Sequence, residues 1–360
     1  MTENARPLGT LLRLPPVLGL LLLAPVCAEY LYGYDDSTGD PRELLGGLFL
    51  FAPLYGGAAV LIREVVRRTG RGWPAVLLLG AAFGVVQAGL VDLSLFNPSY
   101  RDIPYWEDMF SSSLLPAPGV NPNLALAFTA GHAVWSVTVP IAVVESLAPR
   151  TAARPWLGWF GLAVVAAGFA AAAVLVLRWS VETEGFVPSA GQAVGAAAAA
   201  LALGAAAFLW RGPARPDPRP APPPWAVGGT VLAALGLPGA VAHLLRVVGL
   251  GEGPWRIADS SWFLIGWPGF AVNLAVLGGL AVLLARWSAR AGWGPRHVLA
   301  AAGGALLANV FTAFLARPIG DVAAAAKYTH NTVALLGSLA VLALGSRRLR
   351  TARPPTPGAG

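Results

Sequence analysis

The 360-residue chain has few of the residues on which soluble proteins depend. Only 12% of its residues are charged, Cys27 is its one cysteine, and Lys327 is its one lysine. A single cysteine excludes an internal disulfide and a cysteine-based metal cluster. So little charge, together with 56% hydrophobic residues and a mean hydropathy of +0.62, excludes a soluble globular protein.

Motifs for several common chemistries are missing too. The sequence has no phosphate-binding glycine loop, no nucleophile elbow and no HExxH zinc motif, so it predicts neither a metal site nor a cofactor. The formal net charge of +7 comes without a soluble basic domain, so nucleic acid is not an expected partner. The partner that the composition indicates is the lipid bilayer.

Long apolar runs are what the chain has in abundance. A helix needs roughly 20 apolar residues to cross a hydrocarbon core of about 30 Å. Ten segments meet this need: 15–34, 43–62, 73–95, 123–147, 156–177, 188–210, 225–248, 262–285, 297–316 and 328–346. The expected fold class is an all-α, polytopic helical transmembrane bundle of about ten spans. Nine spans are the alternative, because Arg6, Arg13 and the run 18–24 before Cys27 also resemble a cleavable signal peptide.

The charges of the connecting loops alternate along the chain. Arginines concentrate at Arg6 and Arg13, and then in loops two, four, six and eight and in the C-terminal tail, whereas acids concentrate in the loops between them. Because arginine-rich loops stay in the cytoplasm, both termini are expected there. Arginine, alanine, glycine and proline usage is typical of a high-GC bacterial genome, which predicts the bacterial plasma membrane as the location.

The same pattern predicts five regions along the chain. They are a cytoplasmic tail (1–14), spans one to six (15–210), a cytoplasmic linker (211–224), spans seven to ten (225–346) and a disordered basic tail (347–360). The linker contains seven prolines and is expected to be stiff and extended.

Several polar side chains fall inside the predicted spans, where each costs free energy and is therefore a functional candidate. With a helix rise of about 1.5 Å per residue, most of them share one layer in the outer leaflet. The candidates are Glu29, Gln87, Asp92, His132, His243 and Asn309, with Asp92 slightly above the others. They predict a polar cavity open to the extracytoplasmic side and covered by the long loop 96–122. The alternative is that these groups only hydrogen-bond between helices and hold the bundle together.

Two further features concern packing. Arg63, Glu64 and Glu145 lie at the cytoplasmic ends of spans two and four, where we expect an ion pair of Glu145 with Arg63, or of Glu64 with Arg67 or Arg68. Gly191 and Gly195 form a GxxxG motif, which predicts close packing inside the bundle, with a homodimer as the alternative.

Three stretches of the chain, 28–54, 63–100 and 131–145, resemble a group of uncharacterised multi-pass membrane proteins of high-GC actinobacteria. That resemblance implies a membrane protein and no particular activity.

A second resemblance is partial and concerns the CAAX-protease-like intramembrane families, which use a Glu-Glu-x-x-x-Arg helix and a later Phe-x-x-x-His. Glu64, Arg68, Phe128 and His132 fit these motifs, but Arg63 replaces the leading glutamate. Glu64 and His132 are also expected at different depths, on the order of 15–20 Å apart by helix rise. The sequence therefore does not predict this activity.

Three functions fit the sequence. The first is a transporter-like permease with an outward-facing polar cavity, in which Glu29 or His132 couples transport to protons. A second is a membrane-embedded enzyme that acts on a lipid-borne substrate at the outer leaflet, with His132 as base and Asp92 as orienting or metal-binding acid. The third is a non-catalytic accessory subunit, which predicts a dry interior. The small number of polar groups in the inner leaflet argues against the first and for the second.

Overall fold

The computed structural model describes residues 14–210, 217–249 and 264–352. Within these ranges the chain forms eleven helices and one short two-stranded ribbon. The helices are α1 (Leu14–Tyr30), α2 (Pro41–Arg68), α3 (Trp73–Val91), α4 (Trp106–Ser111), α5 (Pro122–Leu147), α6 (Trp159–Glu184), α7 (Ala190–Leu209), α8 (Pro224–Val247), α9 (Gly266–Ser288), α10 (Pro295–Leu315) and α11 (Ala324–Thr351). The strands are β1 (Asp217–Pro220) and β2 (Arg290–Ala291).

Nine of these described helices are long and apolar enough to cross a membrane, and α1 is a shorter apolar helix. The predicted all-α membrane bundle is therefore confirmed. Local signals set the helix starts: α2 and α5 each begin with a proline, whose missing N–H costs nothing in the first turn. The side chains of the preceding Asp40 and Asn121 accept hydrogen bonds from backbone N–H groups of those turns.

Polar contacts join the loops at each end of the bundle. At the end that we call the acid-rich face, an Arg101 guanidinium nitrogen lies 2.9 Å from Asp35 Oδ1, and the Ile319 amide donates to the Tyr34 carbonyl at 2.7 Å. At the opposite end, the arginine-rich face, Arg71 Nη1 donates to the Trp210 carbonyl at 3.2 Å.

The helices differ in how much of their surface the bundle covers. One buried cluster joins α1, α2, α3 and α5 through side chains such as Leu20, Val60, Val76 and Ile141. Another joins α5, α8 and α10. In contrast, only 11% of the most apolar window of α6, α7, α9 or α11 is buried, compared with 56% in α5 and α10. The outer helices therefore present most of their apolar surface to lipid.

The linker forms more structure than its prolines indicated. β1 pairs in parallel with β2, and the amides of Asp217 and Ala221 donate to the carbonyls of Ala289 and Ala291, both at 2.9 Å. The extended backbone that proline favours leaves such groups available for pairing. Residues 211–216 of the predicted linker lie outside the described residues.

The structure also changes the predicted start of the C-terminal tail. The disordered tail was predicted from residue 347, but α11 continues to Thr351, so this boundary is wrong. Arg348 and Arg350 fall in the last turn, where positive charge interacts favourably with the helix dipole. At the other end α1 begins at Leu14. Residues 1–13 and 353–360 lie outside the described residues.

The prediction that the GxxxG motif packs inside the bundle is wrong. A Cβ atom at Gly195 meets no atom within 4 Å, and one at Gly191 meets only the neighbouring Ser189 hydroxyl. Helix α7 instead faces α3 through Ala196, which lies 3.0 Å from a Cβ built on Gly89. Spacing alone does not reveal which side of an alanine-rich helix turns inward.

Candidate functional site

Four helices contain a π-helical turn, and each turn carries a polar side chain. The turns are Val26–Tyr30 in α1, Ala52–Gly56 in α2, Gln87–Val91 in α3 and His132–Thr138 in α5. A π turn changes the direction of the side chains that follow and is frequent at functional sites. The side chains are Glu29, Tyr55, Gln87 and His132. Together with Tyr34 and Asp92 we call them the polar site.

A proline lies in or next to three of these four turns. Pro25 precedes the turn of α1, Pro53 lies within that of α2, and Pro140 follows that of α5. Proline cannot donate the regular helical hydrogen bond, and its ring crowds the carbonyl four residues earlier. Prolines therefore interrupt the regular hydrogen-bond ladder of α1, α2 and α5 close to these turns.

The two carboxylates of the polar site have neutral hydrogen-bond partners. Glu29 Oε2 accepts from the Tyr34 hydroxyl at 3.4 Å and lies within reach of the Tyr55 hydroxyl. Asp92 Oδ2 accepts from Gln87 Nε2 at 3.4 Å, and its Oδ1 accepts from the Ser94 amide at 2.9 Å. Glu29 and Asp92 lie near enough to repel each other electrostatically. In the described part of the chain, neither of them forms a salt bridge.

His132 lies between two aromatic rings. It stacks on Tyr55 with 5.9 Å between ring centroids, and its edge meets Phe83 at 5.5 Å. Its Nδ1 lies 2.9 Å from the hydroxyl of the buried Ser136. Glu29, Asp92 and His132 are only half-buried, whereas Tyr55 and Gln87 are buried. Part of the surface of Glu29, Asp92 and His132 therefore stays uncovered by protein.

The loop 92–121 covers the polar site and is tied to two neighbouring segments. The Arg101 guanidinium donates to both carboxylate oxygens of Asp35, at 2.9 and 3.1 Å, and its backbone amide donates to Glu184 Oε2 at 2.7 Å. Partial burial opposes ionisation of Asp35, but the hydrogen bonds and charge of Arg101 outweigh this effect and lower the pKa of Asp35. Trp106 anchors the loop by donating to the Asn97 carbonyl at 2.8 Å.

The backbone of this cover is strained at three positions. Leu93, Arg101 and Asp102 have positive φ angles of 64°, 53° and 48°. Residues with side chains rarely adopt this conformation, which costs on the order of 1–3 kcal/mol at each position. Leu93 directly follows Asp92, so the strain lies where the chain leaves the polar site.

The structure separates the predicted layer into two groups. Glu29, Gln87, Asp92 and His132 lie together, whereas Asn309 and His243 contact other groups. Asn309 Nδ2 donates to the Cys27 carbonyl at 3.5 Å and joins α10 to α1. His243 Nδ1 lies 3.1 Å from an Arg246 guanidinium nitrogen on its own helix, α8.

A second polar cluster, the arginine network, lies at the arginine-rich face. It consists of Arg63, Glu64, Arg67 and Arg68 on α2 and Glu145 on α5. Glu145 lies 3.1 Å from Arg63 Nε and 2.6 Å from Arg67 Nη2. Glu64 lies 2.8 Å from Arg63 Nη1 and 3.3 Å from Arg68 Nη2. Arg63 and Glu64 are completely buried.

The loop 148–158 completes the arginine network. Arg63 Nη2 donates to the carbonyls of Ala152 and Arg154 at 2.7 and 2.9 Å, and its guanidinium carbon lies 3.3 Å from the centre of a Trp156 ring. Both oxygens of Glu64 accept from backbone amides, those of Trp156 at 2.7 Å and Leu157 at 3.2 Å. Both oxygens of Glu64 are thus bound by protein groups of the arginine network, whereas His132 belongs to the polar site. The two residues that fit the CAAX-protease-like motifs are therefore in different clusters.

The comparisons with known proteins concern the part of the chain that contains both clusters. Residues 18–213 match the sequence model of an uncharacterised membrane protein family, which is more than half of the chain. The chain belongs to this family. No curated protein and no solved structure matches it. The family region runs from α1 to just beyond α7, so it includes the polar site, its cover and the arginine network, whereas α8–α11 lie beyond it.

Sequence reasoning missed Tyr55, Tyr34 and the Arg101–Asp35 pair. Tyrosine in an apolar span was not counted as a candidate, although its hydroxyl also needs a partner there. Arg101 had a signal, because it is an arginine within the loop that otherwise carries acids at 102, 107 and 108.

Proposed function

We propose that the protein is a permease of the bacterial plasma membrane, with its polar site open to the extracytoplasmic side. The observation that carries this proposal is the difference between the ends of α2 and α5. Toward the acid-rich face, Tyr55 of α2 and His132 of α5 lie beside the partly exposed Glu29 and Asp92, while at the arginine-rich face α2 and α5 are joined by buried ion pairs.

This arrangement suits alternating access. Transport needs a central site that opens to one side while the other side is closed. The arginine network is the closed side, because Glu145 holds α5 to α2 and Arg63 holds the loop 148–158. Release to the cytoplasm then requires these contacts to separate. Proton coupling through Glu29 or His132 belongs to the same proposal.

The alternative of a membrane-embedded enzyme has less support. His132 is hydrogen-bonded through Nδ1 to Ser136 and its ring lies against Tyr55 and Phe83, so one nitrogen and one ring face are already occupied. Ser136, its neighbour within hydrogen-bond distance, is only 2% exposed, which does not suit a nucleophile.

Thiol labelling tests the permease proposal. Cys27 is completely buried, so Cys27→Ala provides a background without thiols, and His132→Cys then introduces one thiol in the polar site. We expect a membrane-impermeant maleimide, added outside intact cells, to label this variant rapidly. Ala172→Cys, packed within the bundle, and Leu201→Cys, which faces lipid, are the matched controls and should stay unlabelled.

Absence of labelling at position 132 contradicts the outward opening of the polar site and favours an accessory subunit with a dry interior. Labelling from the cytoplasmic side alone, in inside-out vesicles, contradicts the proposed orientation.

A further inference from the structure

The acceptors of the polar site exceed its donors. Glu29 and Asp92 bring two carboxyl groups into the bundle, and Arg101, whose charge acts on both of them, donates to both oxygens of Asp35 instead. Counting Asp35, the group holds three carboxyl groups for one guanidinium. A bound cation would balance the charge of such a cluster in its ionised form.

A buried acceptor adds an independent observation. Gln87 is 1% exposed, and its Oε1 has no hydrogen-bond partner, although the Nε2 of the same amide donates to Asp92. Buried polar atoms without partners are uncommon and cost free energy. This oxygen is therefore available to a donor on a bound solute or on water.

The aromatic rings beside Glu29 favour an organic ammonium ion over a metal cation. The Tyr34 and Tyr55 hydroxyls reach Glu29, and Tyr55 meets Phe83 edge to face with 6.1 Å between centroids. Aromatic faces beside carboxylates attract ammonium groups, because the ring quadrupole favours a weakly hydrated cation. Carboxylates and an amide oxygen favour an ammonium group that still carries N–H donors.

We infer that the polar site binds a primary alkylammonium ion, whose N–H groups donate to Glu29, Asp92 and Gln87 Oε1 and whose alkyl group lies against Tyr55 and Phe83. This inference rests on the proposed function and names the class of solute that the permease carries.

Protection from labelling tests the inference. The His132→Cys, Cys27→Ala protein in lipid nanodiscs is treated with maleimide in methylammonium, tetramethylammonium or sodium chloride at one pH and ionic strength. We expect methylammonium to slow the labelling in a saturable way and the other two ions to have much less effect, because they lack N–H donors.

Substitutions test which side chains bind the ammonium ion. Glu29→Gln and Asp92→Asn should each weaken protection by methylammonium about tenfold or more, as expected for a lost charge-assisted hydrogen bond. Gln87→Met, which keeps the volume and removes the acceptor, should weaken it less. Glu182→Gln, at an exposed acid of the same face, is the control and should not change it.

The outcomes separate the two proposals. Rapid labelling that no ion slows overturns the ammonium site and leaves the permease standing. Equal protection by tetramethylammonium or sodium overturns the assignment to a primary ammonium ion. Absence of labelling in every salt contradicts the outward opening of the polar site itself.

Discussion

The polar site and the arginine network share helices α2 and α5, but their carboxyl groups have different kinds of partners. In the arginine network each carboxylate lies within 3.3 Å of at least two arginines, whereas the hydrogen-bond partners of Glu29 and Asp92 among the described residues are neutral. Pairing makes a buried charge tolerable, and removing one partner of such a pair costs about 3–5 kcal/mol. Paired charges are therefore structural, and the unpaired ones are the better candidates for function.

The largest expected effect is the loss of Glu64. Glu64→Gln leaves Arg63 with less compensation in a fully buried position and turns an amide group toward backbone donors. We expect it to lower the free energy of unfolding by about 3–5 kcal/mol, measured by thermal or denaturant unfolding in detergent.

The same chemical change at the other end sharpens the comparison. Glu29→Gln removes one of two carboxylates that repel each other, so it should leave the unfolding midpoint unchanged or raise it. If Glu29→Gln destabilises the protein as much as Glu64→Gln does, the two clusters do not differ in the way described.

An intermediate effect is expected where α2 approaches α1. A Cβ atom at Gly56, within the π turn, would clash with the Leu21 carbonyl oxygen, so Gly56→Ala forces the helices apart. Such overpacking costs about 1–3 kcal/mol, and it should also disturb Tyr55 and slow labelling at position 132. Gly195→Ala meets no atom within 4 Å, so the unfolding midpoint of this control should stay the same or rise.

The smallest effect is expected from the pair that ties down the cover. Arg101 and Asp35 are about a quarter exposed, so Arg101→Gln should cost about 0.2–1 kcal/mol near neutral pH. Because folding lowers the pKa of Asp35, this stability is present above the carboxyl's unfolded pKa of about 3.9 and is lost as the pH falls through the lower folded value.

Unfolding midpoints of the wild type and Arg101→Gln between pH 6 and pH 3 check this prediction. The difference between them should shrink toward the acid end. Asp35→Asn should show a similar loss, and the double variant should lose little more than either single variant. Additive losses would mean that the two side chains stabilise the cover independently.

The helices and the depth of several polar side chains were predictable from the sequence. Apolar runs gave the helices, and depth along each helix placed Glu29, Gln87 and His132 in one layer. Depth does not specify how a helix is rotated or where it lies in the bundle, so it did not reveal that His243 contacts Arg246 on its own helix or that Asn309 contacts the Cys27 carbonyl in the π turn of α1. Arg101 and Asp35 are 66 residues apart, and no local pattern joins them.

The arginine network was accessible to sequence reasoning only in part. Arg63 and Glu145 end neighbouring spans at the same face, which is enough to suggest that they pair. The hydrogen bonds from the loop 148–158 to this network could not be predicted, because backbone carbonyls and amides carry no signature in the sequence.

The π turns have a mechanical consequence. A helix that leaves its regular hydrogen-bond ladder bends there at lower cost than elsewhere. The turns of α1, α2, α3 and α5 contribute side chains to one site, so they divide these helices at the level of that site. On one side of these turns the arginine network holds α2 and α5 together. In the proposed permease, a solute in the polar site would therefore bind at the points where these helices bend most easily, and its binding would act directly on their bending.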